Sequence, residues 1–202
     1  MCPKIIDKEA KKQDILKASM KVFARKGVAN TKMADIAEAA SIGKGTIYEY
    51  FKSKEDIFAE AFQHFTKQMD AVLARHMFKI YDPLEKLEAL ISGWIEIMQN
   101  TSTEFIEIMM DFWAEGVRDK HPTVFDMKKL YYEYRKLIVE ILEEGISKGK
   151  IRPVNTTLTA SILIAAMDGL ILQWIMDNNV FQFNELADTL TESLIGGLKK
   201  ET

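Results

Sequence analysis

Residues 31–58, TKMADIAEAASIGKGTIYEYFKSKEDIF, constrain the fold of this chain more than any other stretch. Two short helical patterns lie back to back, with the start of a third behind them. Ala34, Ile36, Ala37 and Ala40 form one apolar face, Ser41-Ile42-Gly43 interrupts it, and Lys44-Gly45-Thr46 reopens a helix. Ile47 and Phe51 then share a buried face at i, i+4, while Gly45, Tyr48, Glu49 and Lys52 occupy the opposite, polar face. Helix, tight turn, helix with a polar outer face is the plan of a helix-turn-helix DNA reader. In that plan Lys44 and Thr46 stand at the start of the second helix, where N–H groups and positive charge suit phosphate. Gly45 has no side chain to hold the backbone away from a duplex. Thr31 is the candidate N-cap of the first helix of this motif, the second of the chain, and a candidate DNA contact.

These residues resemble the N-terminal signature of the tetracycline-repressor (TetR) type of bacterial transcriptional regulators. There D-I-A, a turn, K-G-T-hydrophobic-Y-x-Y-F and x-S-K-E follow one another, and here the resemblance covers about residues 12–60. A looser one covers residues 145–174, where GISKGKIRP and AAMDGLILQW are similar to the last turns of such regulators' ligand domains. The resemblance implies that Tyr48 and Tyr50 contact the DNA backbone and that Lys54 contacts a phosphate. A first-turn lysine such as Lys54 opposes the helix dipole, and a phosphate would offset that. Two positions depart from the family pattern. Lys32 stands where a capping Thr or Ser is usual; it cannot accept from orphan N–H groups, yet it can meet a phosphate at the helix start. Ser41 replaces the usual turn glycine, at about 1 kcal/mol if its φ is positive. Glu49 has two open readings: it pairs with a lysine, or it accepts from a cytosine N4 amino group in the major groove.

The charge distribution supports a reader at the front. The chain carries −3 overall, but residues 1–54 hold 12 Lys+Arg against 6 Asp+Glu, a net +6, and the remainder is −9. A basic segment that coincides with the reader motif is the footprint of phosphate recognition. An acidic remainder turns away from DNA and helps orient the approach.

The rest of the chain reads as helix. A first helix is expected over about residues 8–26, buried through Ile15, Leu16, Ala18, Val22 and Phe23 and stopped by Gly27. Ser53 and Asp56 approximate a capping box for a fourth helix running to about residue 78. Asp82-Pro83 with Glu85 starts another, and further starts fall at Thr101 and Pro122. Gly149 and Pro153 end the Pro122 helix, and two more span about residues 155–176 and 184–199. The expected fold is all-α, about nine helices: a three-helix helix-turn-helix domain over residues 1–54 and a ligand-binding and dimerisation bundle over residues 55–202.

Composition excludes several classes. A single cysteine, Cys2, rules out an internal disulfide and suits a reducing cytoplasm. The most apolar run, residues 162–176, contains Asp168 and Gln173 and is short for a membrane span. The three histidines, His64, His76 and His121, do not pair with one another at i, i+3 or i+4, no HExxH or ExxH occurs, and GKGT lacks the upstream glycine of a P-loop. No cofactor is expected.

The bundle is rich in large adaptable side chains. Phe65, Met69, Trp94, Met98, Met109, Trp113, Tyr131, Tyr134, Met167, Gln173 and Trp174 are candidates to line a pocket for a mostly apolar effector, with Tyr131, Tyr134 and Gln173 as polar handles. The family resemblance implies such a pocket between the middle helices. Ile162, Ala166, Gly169 and Leu170, with Leu190, Leu194, Gly197 and Leu198, offer the small and apolar surface of a two-fold four-helix interface. A dimer is what a helix-turn-helix needs to read two half-sites. The expected function is a ligand-responsive transcriptional regulator, a repressor on a palindromic operator, released by a hydrophobic small molecule and not associated with membrane. The alternative is a helical enzyme or metal-binding protein with an incidental reader-like segment; an activator or architectural protein using the same reader is a third reading.

Overall fold

The structure, a computed structural model, describes residues 8–118 and 126–200, without the side chains of 111, 112 and 114–118. Cys2, His121 and the expected helix start at Pro122 lie outside the described residues. Among those described, the regular elements are helical. They are α1 (Lys8–Asn30), α2 (Met33–Ala39), α3 (Lys44–Ile47), α4 (Lys54–Met77), α5 (Pro83–Asn100), α6 (Thr103–Arg118), α7 (Met127–Ser147), α8 (Thr156–Met176) and α9 (Leu186–Leu190). A π turn (Thr191–Ile195) and a 3-10 turn (Gly196–Leu198) prolong α9.

The described residues form two compact units, those within 1–66 and 102–126 and those within 67–101 and 127–202. The unit that holds the helix-turn-helix is thus larger than residues 1–54. It takes in the front of α4 and all of α6, and the reason is a row of aromatic rings. Phe23 meets Phe58 edge-on at 6.4 Å, Phe58 stacks on Phe62 at 6.3 Å, and Phe65 reaches Phe105 of α6 at 4.9 Å. Ile106 and Ile108 of α6 are buried, and α6 packs along α1. Ile15, Ile36, Ile47 and Ile57 fill the same core at 0% exposure, so every helix of the reader is anchored by a fully buried branched side chain. Burying each is worth roughly 1.5–3 kcal/mol.

The second unit is built on α5 and α7. Asp82 caps α5, its carboxylate accepting from the Leu84 N–H at 2.9 Å, and Pro83 occupies the first helical position where its missing N–H costs nothing. Leu87, Leu90 and Ile91 of α5 and Ile138, Ile141 and Leu142 of α7 make the core. Lys86 of α5 and Lys148, just past the end of α7, clasp Glu144 of α7 at 2.6 and 2.5 Å. Helix α7 ends as its sequence demands: Gly149 takes φ 68°, and the Lys150 and Ile151 N–H groups both donate back to the Gly145 carbonyl.

Helix α8 is unlike the others. It spans 21 residues with a mean hydropathy of 1.7, long and apolar enough to cross a bilayer by length and composition. Ala160, Leu163 and Ile164 are buried within its own unit, but Leu158, Ile162, Leu172 and Met176 stand 42–76% exposed. Together with Ala165 and Gly169 they form a seam at alternating spacings of four and three residues, the period of a helix meant to pack against another helix.

Gly145 marks the tightest contact in the second unit. A Cβ there would lie 2.3 Å from Ile151 Cδ1 and 3.2 Å from Ile151 Cβ, so the whole isoleucine must move. We expect Gly145→Ala to destabilise the protein by about 1–3 kcal/mol through overpacking, measured as a shift in the urea midpoint at unchanged m-value.

Candidate nucleic-acid interface

The α2–turn–α3 segment divides into a buried and an exposed side as its pattern predicts. Ile36 and Ala37 of α2 and Ile47 and Phe51 behind α3 are buried, while Lys44, Gly45, Tyr48, Glu49 and Lys52 are exposed. Helix α3 proper is one turn. The chain then tightens, with Tyr48, Glu49 and Tyr50 N–H groups donating to Gly45, Thr46 and Ile47 carbonyls at 3.1–3.2 Å. That tightening keeps Tyr48 and Glu49 on the outer side and leaves Thr46 and Tyr50 half-buried. Ser41 takes φ 54° in the turn, so the serine does sit where glycine is free of strain.

Helix α2 starts at Lys32, not Thr31. Lys32 is the N-cap residue with extended backbone, and its ammonium is exposed. The missing cap acceptor is replaced from inside the helix: Asp35, at the third helical position, accepts from the Lys32 N–H at 2.9 Å and pairs with Lys26 at 3.0 Å. The backbone bond to Lys32, then the Lys26 ammonium, hold the Asp35 carboxyl below its ordinary value. A carboxylate three residues into a helix is a recognisable reciprocal-cap signal. Reading D-I-A only as a family signature passed over it.

Thr31 is 2% exposed, and its hydroxyl donates to the Gly27 carbonyl at 2.8 Å. Its hydroxyl thus serves the end of α1, which removes it from the outer face. Lys54 likewise has partners within the protein: its Nζ donates to the Val28 and Ala29 carbonyls, both at 2.7 Å. Lys32, Lys44 and Glu49 make no ion pair among the described residues. Of the two readings of Glu49, pairing with a lysine therefore finds no support here.

The expected effector residues are distributed over both units. Phe65, Met109 and Trp113 belong to the first; Met69, Trp94, Met98, Tyr131, Tyr134, Met167, Gln173 and Trp174 belong to the second. In the second unit Trp94 and Trp174 both meet Phe183, at 5.9 and 5.2 Å. Tyr134 donates to Met69 Sδ at 3.4 Å, and burial, with Asp70 nearby, pushes its hydroxyl well above the usual tyrosine value. Tyr131 donates to Asp168 at 2.8 Å; burial raises that carboxyl, and the tyrosine bond partly opposes the rise. Gln173 is exposed. An apolar cleft lined by Leu87, Leu90, Ile91, Ile138, Leu163, Met167, Leu194 and Ile195 has a volume of ≈ 10 Å³. That is room for one water-sized sphere, against the roughly 300 Å³ of a small ligand site.

Of the expected dimer surface, Ile162 is 62% exposed, and a side chain added at Gly169 or Gly197 would meet open space. Ala166, Leu170 and Leu194 are half-buried. Leu190, the last residue of α9, and Leu198, in the 3-10 turn, are 8% and 6% exposed, inside the core of their own unit. They are already buried within the protomer.

Known proteins fit this geometry. Residues 15–61 match the sequence profile described as bacterial regulatory proteins, tetR family, and residues 83–197 match the BetI-type transcriptional repressor C-terminal profile. The chain is 30% identical over 145 residues to the HTH-type transcriptional repressor KstR2 of Mycolicibacterium smegmatis, covering 71% of this chain and 69% of that protein. It is 23% identical over 192 residues to the fatty acid metabolism regulator protein of Bacillus subtilis, covering 95% and 97%. The crystal structure of the Bacillus subtilis regulator FadR in complex with stearoyl-CoA shares the fold, with a TM-score of 0.72 at 23% identity over 92% of this chain and 98% of that one.

The Asp35 cap makes a pH-dependent contribution. Because its folded value is depressed, that contribution is complete above the unfolded value of 3.8 and is lost as pH falls through the lower folded value. We expect the stability gap between wild type and Asp35→Asn, followed by chemical denaturation, to be constant near neutrality and to close below pH 3.8.

Proposed function

Because the chain belongs to the TetR family of bacterial regulatory proteins, we propose that this DNA-binding transcriptional regulator is a repressor. It acts as a homodimer on a palindromic operator and lets go when a mostly hydrophobic small molecule binds. The observation that carries the reading is the exposed set of Lys32, Lys44, Tyr48 and Glu49, its charged members without an ion pair among the described residues, on a helix-turn-helix whose other side buries Ile36, Ala37, Ile47 and Phe51. Lys32 and Lys44 supply phosphate contacts, Gly45 and Thr46 the close approach, and Tyr48 and Tyr50 the backbone contacts that set register. Glu49 accepts from a cytosine N4 amino group, the base contact its carboxylate fits. Such a regulator works in the bacterial cytoplasm, where its operator is, and needs no catalytic chemistry.

Dimerisation uses the outward seam of α8, from Leu158 through Ile162, Ala165, Gly169 and Leu172 to Met176. A second copy related by a two-fold axis would cover all of it. A bilayer would satisfy the same composition, but Ala160, Leu163 and Ile164 are buried in the unit and Asp168 bonds Tyr131, so only one face of α8 needs a partner.

The stearoyl-CoA bound by the Bacillus subtilis relative supports a long-chain apolar effector. To enter the cleft beside Met167, which holds only a water-sized sphere, such an effector would have to displace side chains. It would thereby favour one arrangement of the bundle over another. Coupling is reciprocal, so operator DNA weakens effector binding by the factor by which effector weakens operator binding.

Three measurements test this. Operator selection from random duplexes should return a palindrome, with a log K against log salt slope of about −3.6 or steeper from four lysine contacts per dimer; a flat slope or no preferred sequence would falsify the reading. Glu49→Ala should relax base preference at one position per half-site, at about 1–3 kcal/mol. Ile162→Asp should sediment as a monomer and lose palindrome binding while keeping its helical content.

A further inference from the structure

We infer that Asp168, with Tyr131, is the head-group site of the effector, and that the head it takes is a protonated amine. The effector is then an apolar molecule with one cationic nitrogen. The inference rests on the effector reading above and adds to its apolar tail the chemistry of the other end.

Helix α8 is apolar almost throughout. In its 21 residues, TTLTASILIAAMDGLILQWIM, Asp168 is the only ionisable one. Ile164, one turn before it, is buried. Asp168 is itself half-buried, and the Tyr131 hydroxyl of α7 donates to one of its carboxylate oxygens at 2.8 Å. Its other oxygen accepts no hydrogen bond from the described residues. Among those residues no fully enclosed side-chain oxygen is without a partner, so this oxygen is open to an incoming donor. A carboxylate offers about four lone-pair sites, of which Tyr131 takes one.

No cation among the described residues pairs with this group. Arg135 stands one turn after Tyr131 on α7, but its guanidinium donates to Ser161 at 2.9 Å. Ser161 lies seven residues before Asp168, about 10 Å along the helix axis. Lys128, a turn before Tyr131, is exposed and makes no ion pair with Asp168. A half-buried carboxylate beside a neutral hydroxyl is costly, and a neutral asparagine would keep the tyrosine bond without the charge. Burial accordingly raises the Asp168 carboxyl. A cation at the open oxygen restores the charged form and gains a charge-assisted bond.

The surroundings set the sign of the head. Tyr134 follows Tyr131 by three residues on the same side of α7. Burial, and then the charge of Asp70 on α4, raise its hydroxyl. A carboxylate or phosphate head would meet negative charge from Asp168 and from Asp70, whereas an ammonium is attracted by both. The tail has apolar surface at hand: Met167, the residue before Asp168, lines the cleft with Leu163, one turn earlier. All of these residues belong to the second unit.

Three probes share an eight-carbon tail and differ in the head: octylamine, octanol and octanoate. Each is titrated calorimetrically into the intact protein near neutral pH, below its micelle concentration. Octylamine is expected to bind about tenfold more tightly than octanol, and octanoate more weakly than both. In Asp168→Asn octylamine should bind no more tightly than octanol. Equal affinities for the three heads, a preference for octanoate, or an amine preference that survives in Asp168→Asn overturns the inference. So does the absence of binding by all three. Where Asp168→Asn does not fold, a crystal structure of the wild type with octylamine decides: the nitrogen on Asp168 supports the site, and the nitrogen elsewhere overturns it. Titration of the selected operator in the presence of each probe separates the two readings. Octylamine that binds through Asp168 without weakening operator leaves the amine site standing and removes the effector reading. Operator released equally by the three probes removes the amine site and leaves the effector reading.

Discussion

The reader depends on how α1 ends. A helix of this length terminates with a concentration of negative partial charge on unpaired carbonyls, and this one terminates beside the segment that must be held still. Asn30, Thr31 and Lys54 take up those oxygens from three different positions in the chain. One of them heads α4, so satisfying a local backbone requirement also sets where the short helices begin and where they stop. Helices of seven and four residues have little stability of their own. Their geometry is borrowed from α1 and α4 through Ile36, Ile47 and Phe51.

The two units use apolar surface differently. In the first, aromatic rings are spent inward, in a row that recruits α6. In the second, α5 and α7 bury theirs, whereas α8 keeps an apolar seam facing out. An exposed seam of that size is costly for a monomer in water, and its regular spacing marks it as a surface shaped for another helix. The polar groups within this apolar helix are few, and Asp168 is held by Tyr131 from α7.

Much of the site was legible in residue order. The helix-turn-helix pattern, the burial of Ile47 and Phe51, the Asp82-Pro83 start and the Gly149 stop all follow from local rules of periodicity and capping, and each is found in place. Ser41 was readable as the strained turn position because the family pattern has glycine there, and its φ is positive. Thr31 and Lys54 were not readable. Both look like phosphate ligands by type and position, and only the carbonyls that approach them from α1 show what they bond. Leu190 and Leu198 looked like interface for a similar reason: period alone does not say which apolar residues the protomer's own core will take up.

By itself, the order of residues determined the helices, the basic front and acidic remainder, and the family to which the chain is similar, since these rest on interactions within a few positions along the backbone. Tertiary structure alone decided which carbonyls the Thr31 hydroxyl and the Lys54 ammonium bond inside the protein. Hydrogen-bonding capacity is finite: the single O–H of Thr31 is already given to the Gly27 carbonyl, whereas the Lys54 ammonium, with two carbonyls, keeps a third N–H.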